Sequence, residues 1–238
     1  MNFTPEIVGN WAIFLDKEIG EMKKNYNILA IKKPTYPEIQ NQLQNTAVLM
    51  TIVKNYLEGN IKGLLLKNSR VFETINIDFH KIAFTEIQIA TEIELRKIIK
   101  ENKYEILERE NKISKIVSKL KTINNSNTVI KFVKKIAEDN VPKHPFFGDY
   151  LNTVLKNTPN LSKVFISKSK SFFDGISIIR NKLSHSKIEL TDNEKERLIK
   201  SGFGKAISQE GGLSFRFDYY SILYPQVIKF LDQIYLNL

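Results

Sequence analysis

The sequence predicts an all-α protein, a helical bundle with at least one long helix. Three observations carry this. Apolar residues recur at three- and four-residue intervals over most of the chain. The longest such stretch, 71–121, holds neither Pro nor Gly. A strand-like pattern occurs only near 206–217, where Glu210-Gly211-Gly212 sits between two short alternating segments and suggests a small β-hairpin.

Each element has its own signal. Thr4-Pro5-Glu6 opens the first helix with a cap residue, a Pro in the first turn and an acid at the positive end of the dipole. Ile7, Trp11, Phe14, Leu15 and Met22 then keep one apolar face to about Asn25. Thr35-Tyr36-Pro37-Glu38 opens a second helix, carried by Ile39, Leu43, Val48, Met50, Val53 and Leu57, with Gly59 expected as its left-handed stop. The stretch 71–121 reads as one very long helix or two broken near Asn102. Glu92, Glu94, Arg96 and Lys97 supply close charge pairs within it.

Asn124-Asn125-Ser126-Asn127 is a loop by composition, and a short helix over 128–139 follows. Val141-Pro142-Lys143-His144-Pro145 forces an extended turn, because a residue before Pro is biased away from α. Helices are expected over 146–156 and 169–184. Thr191-Asp192-Asn193-Glu194 has the spacing of a capping box and opens a brief helix. Asp218 is placed to cap a last helix, with Pro225 a candidate kink. The expected organisation is a single helical domain over 1–238, with 1–30 as an N-terminal helical extension.

Composition narrows the function. The chain has 238 residues, 42% hydrophobic and 26% charged, enough to bury a substantial core. It has no Cys, which excludes disulfides, thiolate metal sites and cysteine nucleophiles. Three scattered His make no metal set, so no metal and no cofactor are expected. No apolar run reaches 18 residues, and MNFTPEIVGN lacks a basic start followed by an apolar stretch. The expectation is a cytoplasmic protein that does not engage a membrane. Net charge is +10, and it is localised: from Lys112 to Lys187 there are fifteen Lys or Arg against four acids, whereas the rest of the chain balances to −1. A single-sign patch of this kind favours polyanions such as nucleic acid. The plainer reading is a solvated face in a Lys-rich chain.

Candidate chemistry concentrates in 169–185. Phe172, Ile176, Ile179 and Leu183 form an apolar stripe, about 60° wide on a helical wheel. Arg180, Ser184, Ser177, Asn181 and His185 fall on the opposite arc, with Arg180 and His185 about 140° apart. On a straight helix those two cannot touch one small group. A joint site needs the helix to end near Ser184, or a second copy to face it.

The run Arg180-Asn181-Lys182-Leu183-Ser184-His185 resembles the HEPN superfamily signature, an Arg, often followed by a polar residue such as Asn, then His after four to six intervening residues. Chance alone gives such an Arg-Asn…His run roughly 0.02 times in a chain of this composition. Many members carry a Tyr two residues after the His; here that position is Lys187.

The resemblance implies a helical bundle that dimerises and joins two motifs across the interface. It implies a metal-independent endoribonuclease, often a toxin or phage-defence effector, with an antitoxin or regulatory partner. The candidate catalytic residues are then Arg180, His185 and Asn181. An imidazole, with an ordinary pKa near 6.5, suits the base that takes a 2′-OH proton. A guanidinium pairs in a fork with phosphate oxygens. Asn181 would bond the scissile phosphate or orient a base. Candidate RNA-binding residues are Lys182, Lys187, Lys170, Lys134 and Lys135. Products would be a 2′,3′-cyclic phosphate and a 5′-hydroxyl, and DNA would resist because it lacks the nucleophile.

Other readings stay open. Arg180 and His185 also suit the solvated C-terminal end of a helix, where cations meet the negative dipole end. A non-catalytic RNA- or nucleotide-binding module and an interaction subunit of a defence or toxin–antitoxin complex are the alternatives. His144 reads as a loop histidine, and His80 as a core or interface one, since Ile77, Phe79 and Ile82 surround it. Gly202-Phe203-Gly204-Lys205 invites a phosphate-loop reading and fails it, because Ala206 stands where Ser or Thr would bind Mg²⁺.

Overall fold

The computed structural model describes residues 5–31, 34–60, 69–106, 145–185, 188–214 and 219–238. Among them are seven α-helices: α1 (Pro5–Ala30), α2 (Pro37–Asn60), α3 (Ser69–Glu101), α4 (Phe147–Asn157), α5 (Lys163–Ser184), α6 (Asp192–Lys200) and α7 (Tyr220–Tyr235). A 3₁₀ turn, Gly204–Ala206, lies between the last two, and no strand is present among the described residues. The protein is all-α, as its periodicity predicts. The expected loop at 124–127, the helix over 128–139, the turn containing His144 and the cap Asp218 lie outside the described residues.

The helices group into two compact units, Met1–Glu94 with Thr158–Leu238, and Leu95–Asn157. In the larger unit, α1 lies along α2 and also meets α7. Leu15, Ile19, Met22 and Leu29 of α1 are buried, as are Ile39, Leu43, Met50 and Val53 of α2. Leu29 repeats Met22 two turns on, and α1 accordingly runs five residues past Asn25. Val48 is a correction: it is 52% exposed, because on the wheel it lies about 180° from Ile39. Gly59 is a second correction, since α2 continues through it to Asn60; glycine is free to leave the α region but not obliged to.

Aromatic rings join the remaining helices of this unit. Phe79, His80 and Phe84 of α3 pack with Tyr219 and Tyr220. Phe172 of α5 stacks on Phe203, and Phe173 meets Phe230 of α7 edge-on at 4.9 Å. Two tyrosine hydroxyls inside this core are hydrogen-bonded across helices. Tyr224 Oη donates to the Gln42 carbonyl at 3.0 Å and accepts from Thr46 Oγ1 at 2.7 Å. Tyr36 Oη donates to Asp232 at 2.7 Å, tying the start of α2 to α7.

His80 is a core residue, 1% exposed, with Nδ1 2.7 Å from Tyr220 Oη. Burial pushes its pKa down to about 3, so the ring is neutral.

In the smaller unit, α3 stops where the sequence suggested a break. Lys103 takes φ 54°, Tyr104 N–H bonds the Ile99 carbonyl and Lys103 N–H the Lys100 carbonyl. That is a Schellman ending with a lysine in the left-handed position. Asp149 accepts the Phe146 N–H at 2.7 Å and so caps α4 from its third residue. The Arg96 guanidinium lies 4.7 Å from the centre of the Tyr150 ring.

Candidate functional site

The Arg180–His185 run occupies the end of α5, and α5 is built from both sides. Ser162 Oγ accepts the Phe165 N–H at 3.1 Å and starts the helix six residues before the expected Ser169. Phe165 then stacks on Phe230 with ring centres 6.1 Å apart, a contact no local pattern announces. Ser169, Phe172, Phe173, Gly175, Ile176, Ile178, Ile179 and Leu183 are buried. On the wheel this covers about 220° instead of the 60° stripe the sequence suggested. The helix is embedded on most of its circumference; Asn181, Ser184 and His185 emerge through the remaining gap, whereas Arg180, at about 80° from Phe172, lies just inside the edge of the buried arc.

The helix ends at Ser184, and His185 is its C-cap, with φ −100° and ψ 8° and its N–H bonded to the Asn181 and Leu183 carbonyls. Of the two conditions for a joint site, helix termination is therefore met. His185 and Asn181 are exposed and Arg180 is half-buried. Among the described residues no carboxylate pairs with Arg180 or His185. Neither side chain has a hydrogen-bond partner among the described residues.

The neighbouring polar residues are already employed. Ser177 Oγ donates to the Phe173 carbonyl at 2.9 Å on its own helix. Asp174 holds Arg197 of α6 through both carboxylate oxygens, Arg197 Nε donating at 2.8 Å. Lys182 Nζ donates to the Glu189 carbonyl at 2.7 Å and to Glu194 Oε2 at 2.8 Å. Its charge is spent inside the fold rather than displayed. Lys170 is exposed on α5, about 15 Å along the axis from Arg180, so it belongs to no common small site with it. Lys134, Lys135 and Lys187 lie outside the described residues, as do nine in all of the fifteen basic residues from Lys112 to Lys187.

The sequence located Glu194 as a capping residue but not as the partner of Lys182. The capping box is present: Thr191 Oγ1 accepts the Glu194 N–H at 3.3 Å, and Glu194 Oε2 accepts the Thr191 N–H at 2.8 Å. Burial acts to raise the Glu194 carboxyl, but hydrogen bonds from Lys182 and Thr191 outweigh it and hold the group below its ordinary value.

The segment after the motif is pinned as well. Leu213 N–H bonds the Ile188 carbonyl at 2.6 Å, and Glu189 bridges Gly212. The expected hairpin is present only as isolated bridges: Ile207 pairs with Leu213, with Gly211 at φ 81° turning the chain. Gly202, once a phosphate-loop suspect, is the left-handed residue that ends α6. Phe203 N–H returns to the Leu198 carbonyl and Gly202 N–H to that of Ile199.

Two grooves of about 300 and 290 Å³ flank α2, one lined by Thr46, Val48, Ile82 and Glu86, the other by Lys23, Tyr26, Leu43 and Thr51. Neither holds a residue of the motif. Among the described residues no group of three His, Asp or Glu is arranged to hold a metal ion, and no helix is long and apolar enough to cross a membrane. Comparison with protein-family models, with curated proteins and with solved structures finds no match to this chain.

Proposed function

We propose that this protein is a metal-independent, HEPN-like endoribonuclease that works in the cytoplasm as a homodimer, as a toxin or phage-defence effector restrained by an antitoxin or regulatory partner. One observation carries the reading: an Arg and a His at the family's spacing stand at the end of a deeply buried helix, outside the core and unpaired with any described carboxylate. An embedded helix gives two polar groups a rigid base, which catalysis by positioning requires.

In this scheme two copies face one another and share one site. One His185 imidazole takes the 2′-OH proton, the 2′-oxygen attacks the adjacent phosphorus, and the 5′-oxygen leaves with a proton from the second copy's His185. Arg180 neutralises the crowded phosphorane through paired hydrogen bonds. Asn181, exposed beside it, bonds a non-bridging oxygen.

The test is cleavage of a mixed RNA pool by the purified dimer. Wild type should yield 2′,3′-cyclic phosphate ends with or without EDTA, and His185→Ala should yield none. Equal cleavage by both proteins, or loss of cleavage on chelation, would overturn the scheme. Lys187, standing where many members have Tyr, favours one second reading, a module that binds RNA without cutting it. That module would show salt-sensitive binding and intact RNA.

A further inference from the structure

We infer that Lys182 and Glu194 form a latch that positions His185, so that Lys182 is a positioning residue and not an RNA contact. The inference rests on the reading of His185 as the reacting imidazole.

A helix end is the least constrained part of a helix, because its last carbonyls lack intrahelical donors. An exposed imidazole at a C-cap would share that looseness. Here Lys182, one turn before His185, reaches across the helix end to the Glu189 carbonyl at 2.7 Å. That bond closes a loop from 182 to 189 with His185 inside it. The ammonium is held in turn by Glu194 Oε2 at 2.8 Å, and the same oxygen accepts the Thr191 N–H at 2.8 Å and Thr191 Oγ1 at 3.0 Å. The latch is therefore anchored on the first turn of α6.

A second strap closes the loop from the other side, where Leu213 N–H holds the Ile188 carbonyl at 2.6 Å. The Asp174–Arg197 pair fixes α6 against α5 from below. Lys182 and Glu194 are 17% and 22% exposed, shielded enough for the pair to outlast ordinary surface ion pairs. A phosphate contact needs the opposite arrangement, an ammonium free to leave its partners.

The test compares wild type with Lys182→Met and Lys182→Arg. Loss of the latch should lower kcat on RNA about tenfold, leaving KM and the salt dependence of RNA binding unchanged, and Arg should restore most of it. In the absence of RNA, the His185 ring resonance should move in Lys182→Met and return toward wild type in Lys182→Arg, with the amide fingerprint elsewhere preserved. An unmoved ring resonance overturns the latch. So does a Lys182→Met protein whose kcat holds while its RNA affinity and salt slope fall, the signature of a phosphate contact. Wild type that cleaves no RNA removes the nuclease reading alone, and the ring resonance still decides whether Lys182 positions His185.

Discussion

Replacing Gly175 by Ala probes how closely the turn after α6 approaches the helix that carries the motif. A β-carbon on Gly175 would overlap Ser201 Oγ and lie 2.7 Å from both Ser201 Cβ and Phe203 Cδ2. Ordinary carbon contacts sit near 3.5–4.0 Å, so relief requires a movement of about 1 Å. Ser201 Oγ could rotate away, at the loss of its 2.8 Å bond to the Leu198 carbonyl. Ser201 Cβ cannot, so the backbone of the turn must shift, and Phe203 must slide on Phe172. Overpacking of this kind costs about 1–3 kcal/mol. Alanine returns about 0.5–1 kcal/mol of helix propensity. The net loss, up to about 2.5 kcal/mol, should lower Tm by up to about 10 °C in a chain of this length. Gly20, inside α1, is the control: a β-carbon there meets nothing within 4 Å. Gly20→Ala should raise Tm by about 1–4 °C. Thermal unfolding followed by circular dichroism reads both signs. A Gly175→Ala protein that melts at or above wild type would refute the close approach.

Three further outcomes follow from the same structure. His80 is neutral in the fold with a pKa near 3 against 6.5 when unfolded, so the unfolded chain binds more protons between those values. Stability should fall as pH drops below 6.5, by up to about 1.4 kcal/mol per pH unit; urea titrations from pH 7 to 5 should show a shallower slope in His80→Leu, and an identical slope would count against the buried neutral ring. Thr191→Ala removes the α6 cap and should cost about 1 kcal/mol by urea unfolding, whereas no change would mean that the cap contributes nothing. Glu194 is held below its unfolded value of 4.5, so its contribution is present above that pH and lost as pH falls through the folded value. The stability gap between wild type and Glu194→Gln should therefore narrow from pH 6 to pH 3, and a constant gap would refute the ionic latch.

Elements whose causes lie within one or two turns were legible in the sequence. The Thr191 and Glu194 box is as its spacing suggested, the break near Asn102 is real, and the Arg180-to-His185 run does end a helix with Phe172, Ile176, Ile179 and Leu183 inward. Local rules also misled where they offered a choice. Gly59 reads as a stop because glycine can adopt the left-handed conformation, an option the chain does not use; α5 in turn starts at Lys163, ahead of the expected 169.

The sequence by itself determined the helical class, the Thr191–Glu194 capping box and the helix end that carries Arg180 and His185, because backbone hydrogen bonds and caps act between residues a few positions apart. Only tertiary structure decided that α5 is buried on most sides, that His80 sits against Tyr220, that Gly175 lies under Ser201, and that Lys182 is occupied by Glu194. Those outcomes depend on which distant segments share one core. Hydrophobic packing makes that choice, since it is non-directional and leaves no mark at any single position.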